Sequence, residues 1–292
     1  MSRKYSSDTE KLQAFSAHAK TGAADSRSGQ SWHSHDGTND ISVGLGAWHV
    51  WGALGWHDIR QRYRRSVLGP FWFTLSTLIM VGVLGVLYST LLGQEISEYL
   101  PYLGVGLVVW QYLSACINEG STSLIGAGYL IKQIRMPLTV HVVRIVWRNF
   151  LILLHSLPVI VLLLVFFGHG IGPEFLLVFP ALLLLLLNGV WVGLVLGIIC
   201  ARYRDVLPIV ANIVQIVFFF TPIMWRADLL KERAWVADYN PIHHMIEIVR
   251  APILGHPLLV DSWLWSAGVA VAGFLAAHYL MCRCRNRVAY WI

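Results

Sequence analysis

Charged side chains are scarce in this sequence of 292 residues: Asp, Glu, Lys and Arg together make up only 13% of it. An average soluble protein carries about 25% charged residues. Hydrophobic residues supply 56%, and the mean hydropathy is +0.59. So little charge argues against a soluble enzyme, and so many hydrophobic residues exclude a disordered chain. The composition therefore predicts a membrane protein, and the net charge of +6 is first to be tested as membrane topology rather than as a nucleic-acid surface.

Residues that support nucleotide, metal or redox chemistry are also few. None of the five lysines follows a glycine, so the chain lacks the Gly-Lys pair with which a P-loop reaches phosphates. It has no His-Glu-x-x-His and no Gly-x-Ser-x-Gly motif. The adjacent His243 and His244 project from different sides of a helix, which disfavours joint metal binding. The four cysteines indicate no disulfide framework. We expect no catalytic residue, no metal and no bound cofactor.

Long stretches without any charge are what the sequence has instead. Six of them reach 20 residues: 66–94, 99–118, 149–173, 175–201, 206–225 and 262–282. A helix that crosses a bilayer needs about 20 mostly apolar residues. The pattern predicts an all-α polytopic membrane protein with six transmembrane helices, at about 68–92, 100–118, 138–167, 175–200, 206–225 and 262–281.

Lysine and arginine are distributed unevenly between the two sides of these spans. The side that holds both termini and the 119–137 and 201–205 loops carries sixteen of the 22, and the opposite loops carry four. The positive-inside rule then places both termini in the cytoplasm. Residues 1–40 are polar and rich in Ser, Gly and His, which predicts a disordered cytoplasmic tail. Residues 66–282 form the transmembrane domain, and 283–292 a second cytoplasmic tail.

Residues 41–65 are aromatic and basic without forming a span. On a helical wheel, six apolar side chains share one arc, from which Arg60 and Arg64 are excluded: Leu45, Trp48, Trp51, Trp56, Ile59 and Tyr63. This pattern is typical of an amphipathic helix in the membrane interface, although a plain juxtamembrane anchor is the alternative. Residues 129–135 form a second amphipathic stretch, which predicts a short cytoplasmic helix that docks on a partner. On the outer side, Asn240 and Pro241 predict the start of a helix that Pro252 ends.

The third span contains an unusual polar stripe. At 100° per residue, His141, Arg144, Arg148 and His155 lie within about 60° of one another. Charges at membrane depth are costly and usually face a cavity or a partner group. The stripe therefore forms one wall of a polar conduit, or its two arginines extend from the cytoplasmic end of the span to lipid phosphates; the sequence leaves both readings open.

Several segments resemble one known family. The sequence of residues 62–72, RYRRSVLGPFW, resembles the start of the first span in membrane subunits of polysaccharide ABC exporters. Residues 134–137 (IRMP), 202–205 (RYRD), 221–223 (TPI), 240–242 (NPI) and 250–252 (RAP) are similar to the same family. The resemblance covers about residues 45–282, in the right order. This family is that of type-2 ABC exporter permeases, and within it the sequence most resembles the O-antigen permeases.

The resemblance implies a function and partners. It implies a homodimeric channel in the bacterial inner membrane, paired with two copies of a separate P-loop ATPase that hydrolyses ATP with Mg²⁺. The substrate would be an undecaprenyl-diphosphate-linked polysaccharide, such as O-antigen for lipopolysaccharide, and no nucleic acid. Residues 41–65 would be the interface helix, about 124–136 the coupling helix, and 232–256 short re-entrant helices near the outer exit.

Three sets of residues are candidates for these roles. Those for coupling to the ATPase are Tyr129, Leu130, Lys132, Gln133 and Arg135. Guanidinium groups that suit the lipid diphosphate are those of Arg60, Arg64, Arg65, Arg144 and Arg148, although positive-inside topology explains the first three as well. Aromatic rings on which a sliding glycan could stack are Phe71, Tyr88, Trp110, Tyr112, Phe218, Phe219 and Phe220, although rings near span ends are commonly interfacial anchors.

Two other classes of function remain as alternatives. A membrane-embedded glycan-modifying enzyme, such as an acyltransferase, would need a catalytic residue in a span, and His155 is its best candidate. A secondary transporter would work without any ATPase. No paired carboxylates lie inside the spans, which argues against a proton-coupled carrier.

Overall fold

The computed structural model describes residues 37–62, 64, 71–134, 136–168, 170, 172–227 and 235–292. Within these ranges the chain forms helices and connecting turns and contains no strand. The helices are α1 Gly37–Gly46, α2 Trp48–Arg62, α3 Phe71–Leu92, α4 Ile96–Gly126, α5 Gly128–Gln133, α6 Leu138–Phe166, α7 Val178–Arg202, α8 Val206–Phe220, α9 Trp235–Asp238, α10 Pro241–Ile253 and α11 Val260–Trp291. A 3₁₀ turn, Pro173–Leu177, precedes α7.

Five of these helices are long and apolar enough to cross a membrane: α3, α4, α6, α7 and α11. The sixth predicted span corresponds to α8, which is apolar but has only 15 residues. It is about 22 Å long, shorter than the hydrocarbon core of about 30 Å. It ends at Phe220. The backbone of Thr221 is extended because the following Pro222 disfavours helical geometry there. The predicted span 206–225 is therefore too long at its outer end.

Two helices extend well beyond the predicted spans. α4 has 31 residues and α11 has 32, so each is about 47 Å long. Pro101 lies in the second turn of α4, where it has no N–H to donate to the Ser97 carbonyl oxygen, and the helix nevertheless continues past it. The last residues of the chain, predicted as a tail over 283–292, continue α11 through Trp291. We use "inner end" for the end of the bundle that carries α5 and residues 203–205, and "outer end" for the opposite one.

α4 forms the centre of the bundle and packs against α3, α6, α7, α8 and α10. Its closest approach is to α7, where Gly189, Gly193 and Gly197 are spaced four residues apart on one face. A Cβ atom on Gly120 of α4 would lie 2.8 Å from the Gly193 Cα atom. Small residues at this spacing let two membrane helices bring their backbones together. The contact fixes how α4 and α7 cross.

We expect Gly193→Val to destabilise the protein, because a Cβ at this position would lie 2.7 Å from a Val142 methyl carbon. Overpacking of this kind costs about 1–3 kcal/mol. The measurement is the melting temperature of the detergent-solubilised protein. Gly268→Val in α11 is the matched control, since nothing lies within 4 Å of its Cβ position. Equal melting temperatures for the two variants would contradict the packing argument.

The N-terminal region differs from the prediction in two ways. The predicted tail boundary at residue 40 falls inside α1, while residues 1–36 lie outside the described part of the chain. The predicted interface helix is two helices, α1 and α2, with a break at Ala47. Its apolar residues do not share one surface: Trp51 packs on Trp147 of α6 and Ile59 is buried, whereas Trp48 is 69% and Trp56 51% exposed. Tyr63 lies outside the described residues.

The outer helix α10 begins as the sequence predicts. The Asn240 side chain accepts hydrogen bonds from the backbone N–H groups of Ile242 and His243, so it caps the helix. The helix ends at Ile253, one residue after Pro252. Its first residues line a cavity with residues 113–117 of α4, and Arg250 near its end lies against Tyr102. α10 therefore runs beside α4 from about the middle of that helix towards its outer end.

The pH dependence of stability should reveal the burial of His243 in α10. Burial lowers the pKa of His243 to about 4, with Glu247 opposing and Arg250 reinforcing the shift. Between pH 6.5 and about 4, the His243 side chain is protonated in the unfolded chain but not in the folded chain. Stability therefore falls as the pH drops from about 6.5 to 4. We expect His243→Gln to flatten this decline in melting temperature. His256→Gln, at an exposed position, should leave the decline unchanged. A flatter decline in His256→Gln together with an unchanged one in His243→Gln would contradict the assignment of this pH dependence to His243.

Candidate functional site

The inner half of the bundle holds a set of ion pairs that we name the inner charge cluster: Asp58, Arg62, Glu119, Arg144 and Arg148. It joins three helices, α2, α4 and α6. The two arginines are four residues apart on α6 and so lie on one face of it. The cluster forms where α2 crosses this face.

Asp58 of α2 binds Arg144 through two parallel hydrogen bonds. Arg144 donates from Nε to Oδ2 at 2.6 Å and from Nη2 to Oδ1 at 2.7 Å. Arg148 Nη1 lies 3.7 Å from the same Oδ2 atom. The helices come this close because α2 carries Gly55 at the contact, where a Cβ atom would lie 3.1 Å from the Arg144 carbonyl oxygen. This two-pronged geometry holds the guanidinium in one orientation and is the stronger form of the pair.

Glu119 of α4 completes the cluster. It accepts hydrogen bonds from Arg148 Nη2, from Asn149 Nδ2 at 2.8 Å and from Arg62 Nη2 at 3.3 Å. The two carboxylates and three arginines leave a formal charge of +1. The Asp58 side chain is only 12% exposed and that of Arg148 14%, so these groups rely on each other rather than on water.

A cavity of about 330 Å³ opens beside the cluster, between α3, α4 and α6. Arg62, Glu119 and Asn149 line its charged end. Uncharged polar side chains continue along it: Ser76, Thr77, Gln111, Tyr112 and Ser156. Thr77 Oγ1 already donates to Gln111 Oε1 at 3.3 Å. Apolar side chains, among them Phe73, Met80 and Leu153, supply most of the remaining lining. The cavity therefore has ionic groups at one end and hydroxyl and amide groups between apolar side chains further along.

A second junction, which we name the Asp40 junction, lies at the start of α6. The Asp40 carboxylate is completely buried. It accepts hydrogen bonds from the Leu138 N–H at 3.2 Å, from the Thr139 N–H at 3.1 Å and Oγ1 at 2.9 Å, and from Arg285 Nε at 2.7 Å. The residue before α6 makes no capping hydrogen bond with its side chain. Asp40 of α1 supplies the cap instead, and its negative charge interacts favourably with the positive end of the α6 dipole. One carboxylate thus ties α1, α6 and α11 together.

The short helix α5 is exposed at the inner end. The Tyr129 side chain is 76% exposed, Lys132 and Gln133 are exposed, and Leu130 is half-buried. Lys132 Nζ donates to the Ile292 carbonyl oxygen at 2.5 Å, and the Arg202 guanidinium lies 5.2 Å from the Trp291 ring centroid. The end of the chain therefore contacts both α5 and the end of α7. The fifth predicted coupling residue, Arg135, lies outside the described residues.

The aromatic residues predicted for a glycan path do not share one surface within this chain. Trp110 is buried and packs 5.3 Å from the Phe218 ring, and Tyr112 is buried with its hydroxyl on the Leu185 carbonyl oxygen. Phe71, Phe219 and Phe220 are exposed, at 72%, 64% and 60%, and Tyr88 is half-buried. Their role in stacking on a glycan stays a prediction. In this arrangement only the exposed rings are available to a ligand.

The arginines predicted for the lipid diphosphate fall into two groups. Arg144 and Arg148 are paired with Asp58 and Glu119, so a diphosphate would have to compete with these carboxylates. Arg60 and Arg64 are exposed, and Arg65 lies outside the described residues. His155, the residue on which an enzymatic alternative depends, donates from Nδ1 to the Leu151 carbonyl oxygen of its own helix at 2.7 Å.

Comparison with known proteins identifies the family. The family model described as "ABC-2 type transporter" matches residues 49–254, which span the inner charge cluster, α5 and α10. The chain belongs to the ABC-2 type transporter family. It is 26% identical over 193 residues to the O-antigen export system permease protein RfbA of Klebsiella pneumoniae, covering 65% of this chain and 74% of that protein. It is 25% identical over 206 residues to the protein of that name from Myxococcus xanthus, covering 69% and 78%.

In this ABC-2 transporter chain, the sequence patterns do not identify the acids of the inner charge cluster and of the Asp40 junction. Asp40 falls at the end of the predicted tail, and no role is predicted for Asp58 or Glu119. One signal was present: two arginines four residues apart in an apolar helix require counter-charges, and acids close to predicted spans on the same side are few. Asp58 and Glu119 are among them. Asp40 carried no comparable signal.

Proposed function

We propose that this chain is the channel-forming permease of an ABC exporter that moves an undecaprenyl-diphosphate-linked polysaccharide, such as O-antigen, across the bacterial inner membrane. Two copies would form the channel, and two copies of a separate P-loop ATPase would supply the energy. The observation that carries the proposal is the similarity to O-antigen export permeases over about two thirds of the chain. The five span-length helices fit a membrane channel.

The inner cavity fits the two parts of such a substrate. Its charged end would face the diphosphate, with Arg62 as a donor and the exposed Arg60 and Arg64 close to it in the sequence. Its hydroxyl and amide groups would face the first sugars. Guanidinium groups bind phosphate oxygens in pairs, and sugar hydroxyls both donate and accept hydrogen bonds.

A homodimer is consistent with the exposed apolar surfaces. α3 presents a long row of exposed hydrophobic side chains, and so does α8. In a dimer, the rings of Phe71, Phe219 and Phe220 would approach those of the partner copy, which one chain alone does not bring together. Rings lining the path would stack on sugars without holding any one of them tightly, so a long chain could slide.

Reconstitution tests the function directly. The chain is co-expressed with the P-loop ATPase encoded nearest to its gene, purified as a complex and placed in liposomes. We expect ATP-dependent movement of a lipid-linked glycan across the liposome membrane and glycan-stimulated ATP hydrolysis. Export by the chain alone, without any nucleotide, would instead support a secondary transporter. Glycan modification that His155→Ala abolishes would support the enzymatic alternative.

Coupling through α5 gives a more specific prediction. Tyr129→Ala should weaken ATPase binding by about 30-fold, because an exposed aromatic anchor at an interface is commonly worth about 2 kcal/mol. The melting temperature of the permease should not change, since the ring has few contacts within this chain. Tyr290→Ala is the matched control: this ring is 89% exposed at the same end but lies on α11. The measurement is ATPase retention on the immobilised permease, and equal retention by both variants would exclude Tyr129 from the interface.

A further inference from the structure

The short helix α8 is held by few contacts along its length. Only two of its 15 residues, Val210 and Val214, are buried, and its main helix neighbour is α4. Residues 221–225, which we name the outer break, follow it as turns and bends, and the first three of them are buried. A helix with so few buried side chains is easily displaced, so the embedded break is what fixes its outer end.

The outer break lies at membrane depth. α8 starts directly after the turn at residues 203–205 and spans about 22 Å, so it ends inside a hydrocarbon core of about 30 Å. No water is present at that depth to pair with backbone groups, and irregular backbone is tolerated only where the protein pairs it. The carbonyl groups of the outer break therefore need hydrogen-bond donors from other helices.

Three side chains from two helices supply these donors, and we name them the outer anchor: Tyr99, Tyr102 and Arg250. The Tyr99 hydroxyl of α4 donates to the Met224 carbonyl oxygen at 2.5 Å. The Tyr102 hydroxyl, one turn further along α4, shares its hydrogen between the carbonyl oxygens of Pro222 and Trp225, each at 3.3 Å. Arg250 of α10 donates from Nη1 to the Pro222 carbonyl oxygen at 3.1 Å. The break is thus tied to both α4 and α10.

The surroundings of Arg250 fit a guanidinium group closely. Its side chain is 1% exposed, and its Nη1 also donates to Glu247 Oε1 at 2.5 Å, which balances the charge. The guanidinium lies 3.8 Å from the Tyr102 ring centroid. On the α4 side it packs against Gly106, where a Cβ atom would overlap Nη2. A planar guanidinium stacks on a ring and donates in its own plane at the same time, which an ammonium group cannot do.

We propose that Tyr99, Tyr102 and Arg250 are positioning residues for transport, which fix the outer end of α8 by holding the carbonyl groups of the outer break. The consequence for transport rests on the proposed function, in which the exposed rings of Phe219 and Phe220 face the glycan path. These rings directly precede the break, so the anchor sets where they stand. Loss of the anchor would let the outer end of α8 move and would displace both rings.

Hydrogen exchange on the purified, detergent-solubilised chain tests the anchor without any ATPase or glycan. Tyr102→Phe removes the hydroxyl and keeps the ring beside Arg250. We expect amide exchange over residues 217–226, measured by mass spectrometry, to become about fivefold faster, because the break opens more easily with fewer hydrogen bonds. Gly106→Ala should act in the same direction by displacing the guanidinium, and it keeps the test valid if Tyr102→Phe fails to fold.

Tyr239→Phe is the matched control, since it is the same substitution at the outer end of the bundle. Its side chain is 71% exposed, and its ring faces Trp265 of α11. It should exchange as the unmodified chain does. Exchange in Tyr102→Phe and Gly106→Ala as slow as in this control would overturn the inference, because the packing of Phe218 on Trp110 would then suffice to hold this end of α8.

The reconstituted complex with the ATPase shows whether the anchor positions α8 for transport or only supports the fold. We expect Tyr102→Phe to export less glycan per ATP hydrolysed, with basal hydrolysis retained, and Arg250→Lys not to restore the full ratio. Tyr239→Phe should keep it. A purely structural role would lower the amount of folded complex and leave this ratio unchanged, so faster exchange with an unchanged ratio would also overturn the inference. Absence of export by the unmodified complex would contradict the proposed function alone, and hydrogen exchange would still decide whether the anchor holds α8.

Discussion

Asp58→Ala is expected to lower the free energy of unfolding by about 3 kcal/mol, the lower end of the cost of removing one partner from a buried ion pair. The substitution leaves the Arg144 guanidinium without both of its hydrogen-bond acceptors and removes a second carboxylate from beside Arg148. At about 2–4 °C per kcal/mol for a chain of this size, the melting temperature should fall by about 10 °C. Thermal unfolding of the detergent-solubilised protein measures this loss.

A double-mutant cycle separates the pair from its surroundings. Arg144→Met should also destabilise, since it leaves Asp58 buried with only the more distant Arg148. The double variant Asp58→Leu with Arg144→Met should recover part of the loss, because two apolar groups then pack without any unpaired charge. Arg144→Lys should not restore full stability, since an ammonium group cannot make the two parallel bonds. Gln61→Ala, at an exposed position on the same helix, is the control.

The same variants test what the inner charge cluster does for transport. If the cluster only supports the fold, export should fall in proportion to the amount of folded protein. If it also positions α2 beside the cavity between α3, α4 and α6, Asp58→Ala should reduce glycan-stimulated ATP hydrolysis per folded complex while basal hydrolysis persists. An unchanged melting temperature in Asp58→Ala would show that α2 is held mainly by Trp51, Ile59 and the contact at Gly55.

The transmembrane architecture follows from the sequence because exclusion of charge from a bilayer acts on each span locally. The charge-free stretches predicted α3, α4, α6, α7 and α11, and the turn at residues 203–205 separates α7 from α8 as expected. The stretch 206–225 overstated α8, because freedom from charge does not register the local effect of Pro222 on Thr221. Helix ends outside the apolar stretches, such as those of α4 and α11, leave no hydropathy signal.

The partners of the buried charges could not be predicted from charge-free stretches or from helical periodicity. The pairing of Asp58 with Arg144 depends on how α2 crosses α6. That crossing depends on the contact of Gly55 with the Arg144 backbone, which joins residues far apart in the sequence. On the helical wheel Trp48, Trp51 and Trp56 share one arc, but the wheel does not show that Trp51 packs on Trp147 while Trp48 and Trp56 are exposed. The short helix α5 lies within a stretch whose amphipathic pattern is local, as is the signal for the cap at Asn240, so both could be predicted from the sequence.

Asp40→Ala is expected to have an effect as large as that of Asp58→Ala, although its position looked like part of a polar tail. The carboxylate has no exposure to water and accepts four hydrogen bonds, three of them from the first turn of α6. Its removal leaves two buried N–H groups and Arg285 without an acceptor. An unsatisfied buried donor costs about 1–3 kcal/mol, so a total of about 3–5 kcal/mol is expected in thermal unfolding.

A graded series distinguishes the cap from the ion pair. Asp40→Asn keeps one acceptor oxygen for the start of α6 but loses the charge that holds Arg285, so its stability should lie between those of the alanine variant and the unmodified protein. Arg285→Met tests the charge alone and should be the milder change, since this arginine is 23% exposed. The neighbouring Asn39→Ala is the control, because Asn39 is exposed. Equal stability of Asp40→Ala and Asn39→Ala would exclude a capping role.

The Asp40 junction also lies where motion of the ATPase would enter the bundle. Residues 134–137 connect α5, the proposed docking helix, to the first turn of α6, and Asp40 holds this turn against α1 and α11. If ATP binding displaces α5, the displacement reaches the long helices through this carboxylate. Asp40→Asn complexes that remain folded should therefore hydrolyse ATP but export less glycan per ATP hydrolysed. A ratio of export to hydrolysis equal to that of Asn39→Ala would limit Asp40 to a structural role.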